Sequence, residues 1–305
     1  MATIIDTIKH KYNTGSMLIK LIFINIGVFL ALRIGAIICT FGGFNIETSL
    51  LHWIELPSSP AELLTRPWTL ITYMFAQFDI FHILFNMLWL YWFGTVFLLT
   101  ENAKQLVALY FYGGICGALA FIGAYNTFPN FTYTDGWLIG ASASVIAIVV
   151  ATAMRHPDYK MHLIFFGAVS LKWIAIVTIA IDFLSINGSN AGGHIAHLGG
   201  AVIGLLYSYM LNKGTDITRP FNSAIDYLVS IWKGVKSSST KQPKAKKYNH
   251  NSSSQQSYNA QQQSASTPND REILDNILDK IKKSGYSSLS DDEKKRLFDV
   301  SKRVK

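Results

Sequence analysis

Gly140-Ala141-Ser142-Ala143-Ser144 opens an apolar run that continues to Ala153. A serine among small residues at the head of a hydrophobic helix has two readings. Small residues let membrane helices pack closely, and a serine there commonly bonds back to its own helix. The second reading, a nucleophile, gains weight only from other segments. One carries His194-Ile195-Ala196-His197-Leu198-Gly199-Gly200, and another carries His82 and Asn86. Ionisable side chains in bilayer-spanning segments are costly and usually functional. A serine and a histidine on separate apolar helices therefore suggest a nucleophile and its base.

Working outward, half of the 305 residues are hydrophobic and 15% are charged, which points away from an ordinary soluble domain. Residues 1–212 hold nine Lys/Arg and nine Asp/Glu, whereas residues 213–305 hold eighteen and ten, so the +8 excess sits in the tail. A neutral apolar body with a basic tail reads as a membrane protein with a cytoplasmic extension. The tail lacks aromatic interleaving or a nucleic-acid motif, so no nucleic-acid partner is expected. Cys39 and Cys116 offer neither a disulfide framework nor metal-ligand spacing.

A bilayer span needs about 20 apolar residues. Six segments qualify, near 17–38, 80–100, 105–126, 137–155, 172–188 and 192–212. Lys9, Lys11, Lys104, Arg155, Lys160, Lys172 and Lys213 then fall on one side. Arg66 shares the other side with Glu47, Glu55, Glu62, Asp79, Asp135 and Asp182. The positive-inside rule puts both termini in the cytoplasm. The setting expected is a bacterial inner membrane. Residues 39–79 form a long outer loop whose apolar half, Pro67 to Phe78, suits the interface; Met161 to Ser170 is a similar short piece on the cytoplasmic side.

The fold class expected is all-α: a polytopic six-helix transmembrane bundle over residues 17–212, after a cytoplasmic N-terminus of residues 1–16. Residues 213–268 read as a flexible basic and polar linker, with disorder expected from 234. Residues 269–305 read as a soluble two-helix module. Ile273, Leu274, Ile277, Leu278 and Ile281 have helical spacing before Gly285, and Ser290-Asp291-Asp292-Glu293 makes a capping box before Leu297, Phe298 and Val300. So small a module needs a partner, which the sequence does not name.

Spans two, four and six run from outside to inside. Ser142, His197, His82 and Asn86 each lie early in one of them, roughly 5–10 Å below the outer boundary at 1.5 Å per residue. His197, Gly200, Ala201 and Gly204 share a face, and Gly200 and Gly204 make a close-packing seam. Gly140, Ser142, Ala143 and Ala147 offer a small-residue face in return. Donors aimed at a developing oxyanion are available from Asn86, His82 and the Ser142 N–H.

These residues resemble the rhomboid family of intramembrane serine proteases. The resemblance covers roughly residues 17–212. It rests on His82-Ile83-Leu84-Phe85-Asn86 with Gly94, Gly140-Ala141-Ser142, and Ala196-His197-Leu198-Gly199-Gly200 with Gly204. It implies a six-helix core and a Ser–His dyad without a third acidic member, with Ser142 as nucleophile and His197 as general base. It implies an oxyanion hole of Asn86, His82 and the Ser142 N–H, no metal and no cofactor. The implied activity is that of a serine endopeptidase cleaving single-span membrane proteins in or near their transmembrane segments, within the lipid bilayer.

Two positions depart from the family pattern. Ala143 stands where Gly follows the serine, and Gln77 stands where many relatives carry a histidine. His194 competes with His197 as base; His197 is preferred because it stands on the glycine seam. The alternative is a catalytically inactive rhomboid-like protein that binds client transmembrane helices. A transporter is disfavoured because the polar groups cluster near one membrane face.

Overall fold

A computed structural model of the chain describes residues 12–43, 51–131, 134–163 and 167–232, and in the tail residues 277, 279–281, 289–294 and 296–297. The chain divides into two compact units, Met1–Ser239 and Thr240–Lys305.

In the first unit the long apolar runs form the helices α1 (Met17–Phe41), α4 (Ile80–Phe97), α5 (Ala103–Thr127) and α8 (Ala191–Asn212). Local chemistry sets their starts. Asp79 accepts the His82 N–H at 2.7 Å, satisfying one of the unpaired donors of the first turn of α4. Asn102 and Gln105 form a reciprocal capping box on α5. These four helices are long and apolar enough to cross a membrane.

Two further apolar helices, α6 (Ser142–Arg155) and α7 (Leu171–Leu184), have 14 residues each. At 1.5 Å per residue that is about 21 Å, short of a full hydrocarbon core. The expected fourth span was longer. Its first residues, Trp137–Leu138, instead form strand β2, paired antiparallel with strand β1 at Leu56–Pro57 in the outer loop. Helix α6 therefore starts at Ser142, and shortness is tolerable because eleven of its residues are buried in the bundle and do not meet lipid.

Burial of α6 depends on glycines in its neighbours. A Cβ on Gly200 or Gly204 of α8 would come within 2.2 Å of Ala143 O or 2.5 Å of Ala147 O. On α5, a Cβ on Gly113 or Gly117 would meet the Ala147 or Ala143 methyl at 2.6 Å. Helix α6 is thus clamped between two glycine faces at backbone contact distance, the small-residue packing on which membrane helices rely in place of a hydrophobic driving force.

Around this core, the outer loop holds two short helices, α2 (Pro60–Thr65) and α3 (Thr69–Thr72). Trp53 and Trp68 stack with centroids 5.6 Å apart and remain 57% and 43% exposed, a pair suited to the membrane interface. Tyr73 is buried and donates to Gly114 O at 2.6 Å, tying the loop to α5. On the other side, the expected interfacial piece is an antiparallel hairpin of β3 (Lys160–Leu163) and β4 (Gly167–Ser170).

The expected linker begins with a helix, α9 (Arg219–Trp232). Phe221 packs on Phe111 and Tyr112 of α5, and Lys104 pairs with Asp226 at 2.7 Å. Residues 234–268, expected to be disordered, lie outside the described residues. In the second unit, Ser290 and Glu293 form the expected capping box, with Ser290 N–H on Glu293 Oε2 at 2.8 Å and Glu293 N–H on Ser290 Oγ at 3.3 Å. Ile277 and Leu289 are buried; Ile273, Leu274, Leu278, Gly285, Phe298 and Val300 lie outside the described residues.

Candidate functional site

The turn into α6 builds the site. Gly140 has φ +129°, and its N–H donates to Tyr73 O at 2.9 Å. A Cβ there would lie 2.8 Å from His82 Cε1 and 3.7 Å from Ser142 Oγ, so glycine is required both for the backbone angle and for the approach of the His82 ring. Ser142 then occupies the first helical position, where its N–H has no partner within the helix.

A cavity of about 310 Å³ brings Ser142, His197, His82 and Asn86 together with Asp182; Phe85, Trp89, Val145 and Ile146 supply apolar walls. The four polar residues singled out from the sequence thus come from three helices to one hollow. Ser142 and His197 are half-buried, and among the described residues no hydrogen bond joins them; such bonds are commonly long until substrate tightens the site.

Asn86 is fixed from behind. Its amide donates to Gln77 Oε1 at 2.7 Å, Gln77 donates to Asn25 Oδ1 at 3.4 Å, and the Tyr110 hydroxyl reaches Asn25 Oδ1 at 3.2 Å and Met74 O at 2.8 Å. Gln77 is fully buried. One Asn86 N–H is spent on this chain, and the second remains for the cavity. Gln77, a departure in sequence, is therefore the support on which Asn86 rests.

Asp182 is the partner that sequence reasoning missed. The sequence groups it with the outer-side charges, and the resemblance implies no third acidic member. In the structure its Oδ1 lies 2.8 Å from Nδ1 of His197 and 2.8 Å from Nδ1 of His194. An ionised carboxylate only accepts, so each Nδ1 carries the ring proton and Nε2 of His197 is left as an acceptor. The signal available in the sequence was an acidic residue late in an apolar helix, a position that is costly unless paired.

The Ala143 methyl points away from the cavity. It is buried against α5, at the place where Gly117 lacks a side chain.

Comparison with known proteins agrees with this architecture. Residues 64–214 match the family model described as the rhomboid domain, and residues 253–303 match a family of unknown function. The chain is 33% identical over 165 residues to RHOMBOID-like protein 12, mitochondrial, of Arabidopsis thaliana, covering 49% of this chain and 48% of that protein. It is 26% identical over 208 residues to Rhomboid protease GlpG of Pectobacterium atrosepticum, covering 67% and 65%. It is 26% identical over 167 residues to Rhomboid protein 1, mitochondrial, of Saccharomyces cerevisiae, covering 52% and 46%. The chain spans about half to two-thirds of the length of these relatives. With apolar helices, a rhomboid domain and these relatives, the chain is an integral membrane protein that belongs to the rhomboid family.

Proposed function

We propose that the chain is an intramembrane serine endopeptidase that hydrolyses peptide bonds in or near the transmembrane segments of single-span membrane proteins. The observation that carries this reading is one cavity lined by Ser142, His197, His82 and Asn86. Ser142 Oγ attacks the substrate carbonyl carbon while His197 Nε2 takes the hydroxyl proton. The Ser142 N–H, the free Asn86 N–H and His82 donate to the oxyanion that forms; one such donor is typically worth about 2.7–4 kcal/mol of barrier. His197 returns the proton to the leaving amine. Water then attacks the acyl-enzyme by the same exchange, releasing the second fragment. Asp182 is the residue that keeps the proton on His197 Nδ1 throughout.

A substrate helix shields its own carbonyls by hydrogen bonding, so it must unwind locally to reach Ser142. Substrates should therefore carry glycine or another helix-weakening residue near the cut. Both termini are proposed to be cytoplasmic on the strength of the Lys/Arg distribution, and the membrane is proposed to be a bacterial inner membrane. Some relatives are named as mitochondrial proteins, so fractionation of the native cell decides the compartment.

The test is cleavage of a labelled single-span substrate in liposomes. Wild type cleaves, whereas Ser142→Ala and His197→Ala each lose at least about 10³-fold in rate. Equal cleavage by Ser142→Ala overturns the assignment. Substrate binding without cleavage by wild type supports the inactive client-binding alternative.

A further inference from the structure

The proposed hydrolysis uses one imidazole, yet Asp182 holds two. His194 and His197 sit three residues apart on α8 and reach the same Oδ1 from α7, each at 2.8 Å. Their rings are nearly perpendicular, 82° apart with centroids separated by 5.9 Å, so their Nδ1 atoms converge on the carboxylate from different directions. One ligand atom from each of the three residues lies within 4.8 Å of the other two. His194 and His197 side chains are 22% and 18% exposed and Asp182 is 7% exposed, so solvent ions can reach the group. Orienting His197 does not require His194.

We propose that Asp182, His194 and His197 form a binding site for a divalent transition-metal ion of the zinc class, and that filling it silences Ser142. Two imidazole nitrogens with one carboxylate oxygen form a borderline donor set that suits Zn²⁺ and excludes the all-oxygen cages preferred by Ca²⁺ and Mg²⁺. Tetrahedral coordination at about 2.0–2.1 Å sets ligand atoms about 3.3 Å apart, so the two short N–O separations open by only about half an ångström. The fourth position is left for water.

The silencing half rests on the proposed hydrolysis and follows from proton bookkeeping. Without metal, Nδ1–H points at Asp182 and Nε2 of His197 is free to accept. A metal ion takes the Nδ1 lone pair of each ring. Each neutral imidazole keeps one N–H, which moves from Nδ1 to Nε2, so the rings release no net proton. Nε2–H of His197 then cannot receive the proton of Ser142.

Binding is tested apart from catalysis in full-length Ser142→Ala protein titrated with Co²⁺ and then Zn²⁺. The expected result is the visible absorption of four-coordinate Co²⁺ at one ion per chain, removed by Zn²⁺. His194→Gln keeps an N–H donor for Asp182 but removes a ligand nitrogen, and should weaken Zn²⁺ binding by more than about tenfold, the loss that even an outer-shell change brings. In the wild type, Zn²⁺ should stop substrate cleavage and a chelator restore it, while His194→Gln cleaves with the same rate in both conditions. Absent Co²⁺ bands, or equal Zn²⁺ affinity in His194→Gln, overturns the site. Metal binding with undiminished cleavage overturns the silencing. A wild type that binds metal but cleaves nothing under chelator removes the hydrolytic reading and, with it, the silencing half, and leaves the metal site standing.

Discussion

Ala143 follows the candidate nucleophile, and its methyl group decides how the departure from glycine is to be read. In sequence the extra carbon threatens to crowd Ser142. In the structure it fills the space left by Gly117 on α5, so the two positions exchange a side chain between helices. Ala143→Gly should therefore leave cleavage unchanged while lowering stability by about 1 kcal/mol, the helix cost of glycine relative to alanine. Thermal unfolding in detergent beside liposome cleavage checks both halves; a large gain in rate means that the methyl crowds the reaction after all. A second residue-scale device lies in the other unit. Glu293 is held at a pKa of about 2, first by the Lys280 ammonium and then by the Ser290 N–H. Because the folded value lies below the ordinary 4.5, the capping interaction is complete above that pH and lost as pH falls toward 2. The Ser290 amide resonance of ¹⁵N-labelled full chain should move over that acidic window and stay constant from pH 5 upward.

Among the elements, α6 is the one whose placement everything else serves, and its neighbours mark it by what they lack. Gly204 faces Ala147 O so closely that a Cβ has nowhere to go, whereas a Cβ on Gly123 of α5 meets nothing within 4 Å. Gly204→Ala should cost about 1–3 kcal/mol by overpacking, while Gly123→Ala should gain up to about 1 kcal/mol from helix propensity. Equal melting shifts for the two would refute the seam. The seam was legible in the sequence because Gly200 and Gly204 recur at one helical face. So was the common depth of His82, Asn86, Ser142 and His197, since periodicity and span order put them at one level. The start of α6 was not legible: Trp137 and Leu138 are as apolar as a span, and only pairing with Leu56 and Pro57, some eighty residues away, makes them a strand. Nor was the role of Asp182, because a carboxylate near a helix end reads as an interfacial charge until the neighbouring helix brings two imidazoles to it. The bond between Gln77 and Asn86 is likewise a tertiary fact that no local pattern contains.

At the scale of the molecule, a short buried helix surrounded by longer ones is what the proposed hydrolysis needs in an apolar solvent. Long spans bury eleven of the fourteen residues of α6, a cavity opens at Ser142, and the proposed hydrolysis needs water to enter it from one side. Which side that is depends on orientation. On the orientation proposed from the Lys/Arg asymmetry, the α5–β2 and α7–α8 connections lie outside and the α8–α9 connection inside. In a background of Cys39→Ala and Cys116→Ala, Asn130→Cys and Gly188→Cys should react with a membrane-impermeant maleimide in intact cells, since Asn130 and Gly188 are exposed. Thr215→Cys, exposed just beyond α8, should react only after permeabilisation. The reverse pattern would turn the hollow toward the cytoplasm, and would assign the substrate's cleaved end to that compartment instead.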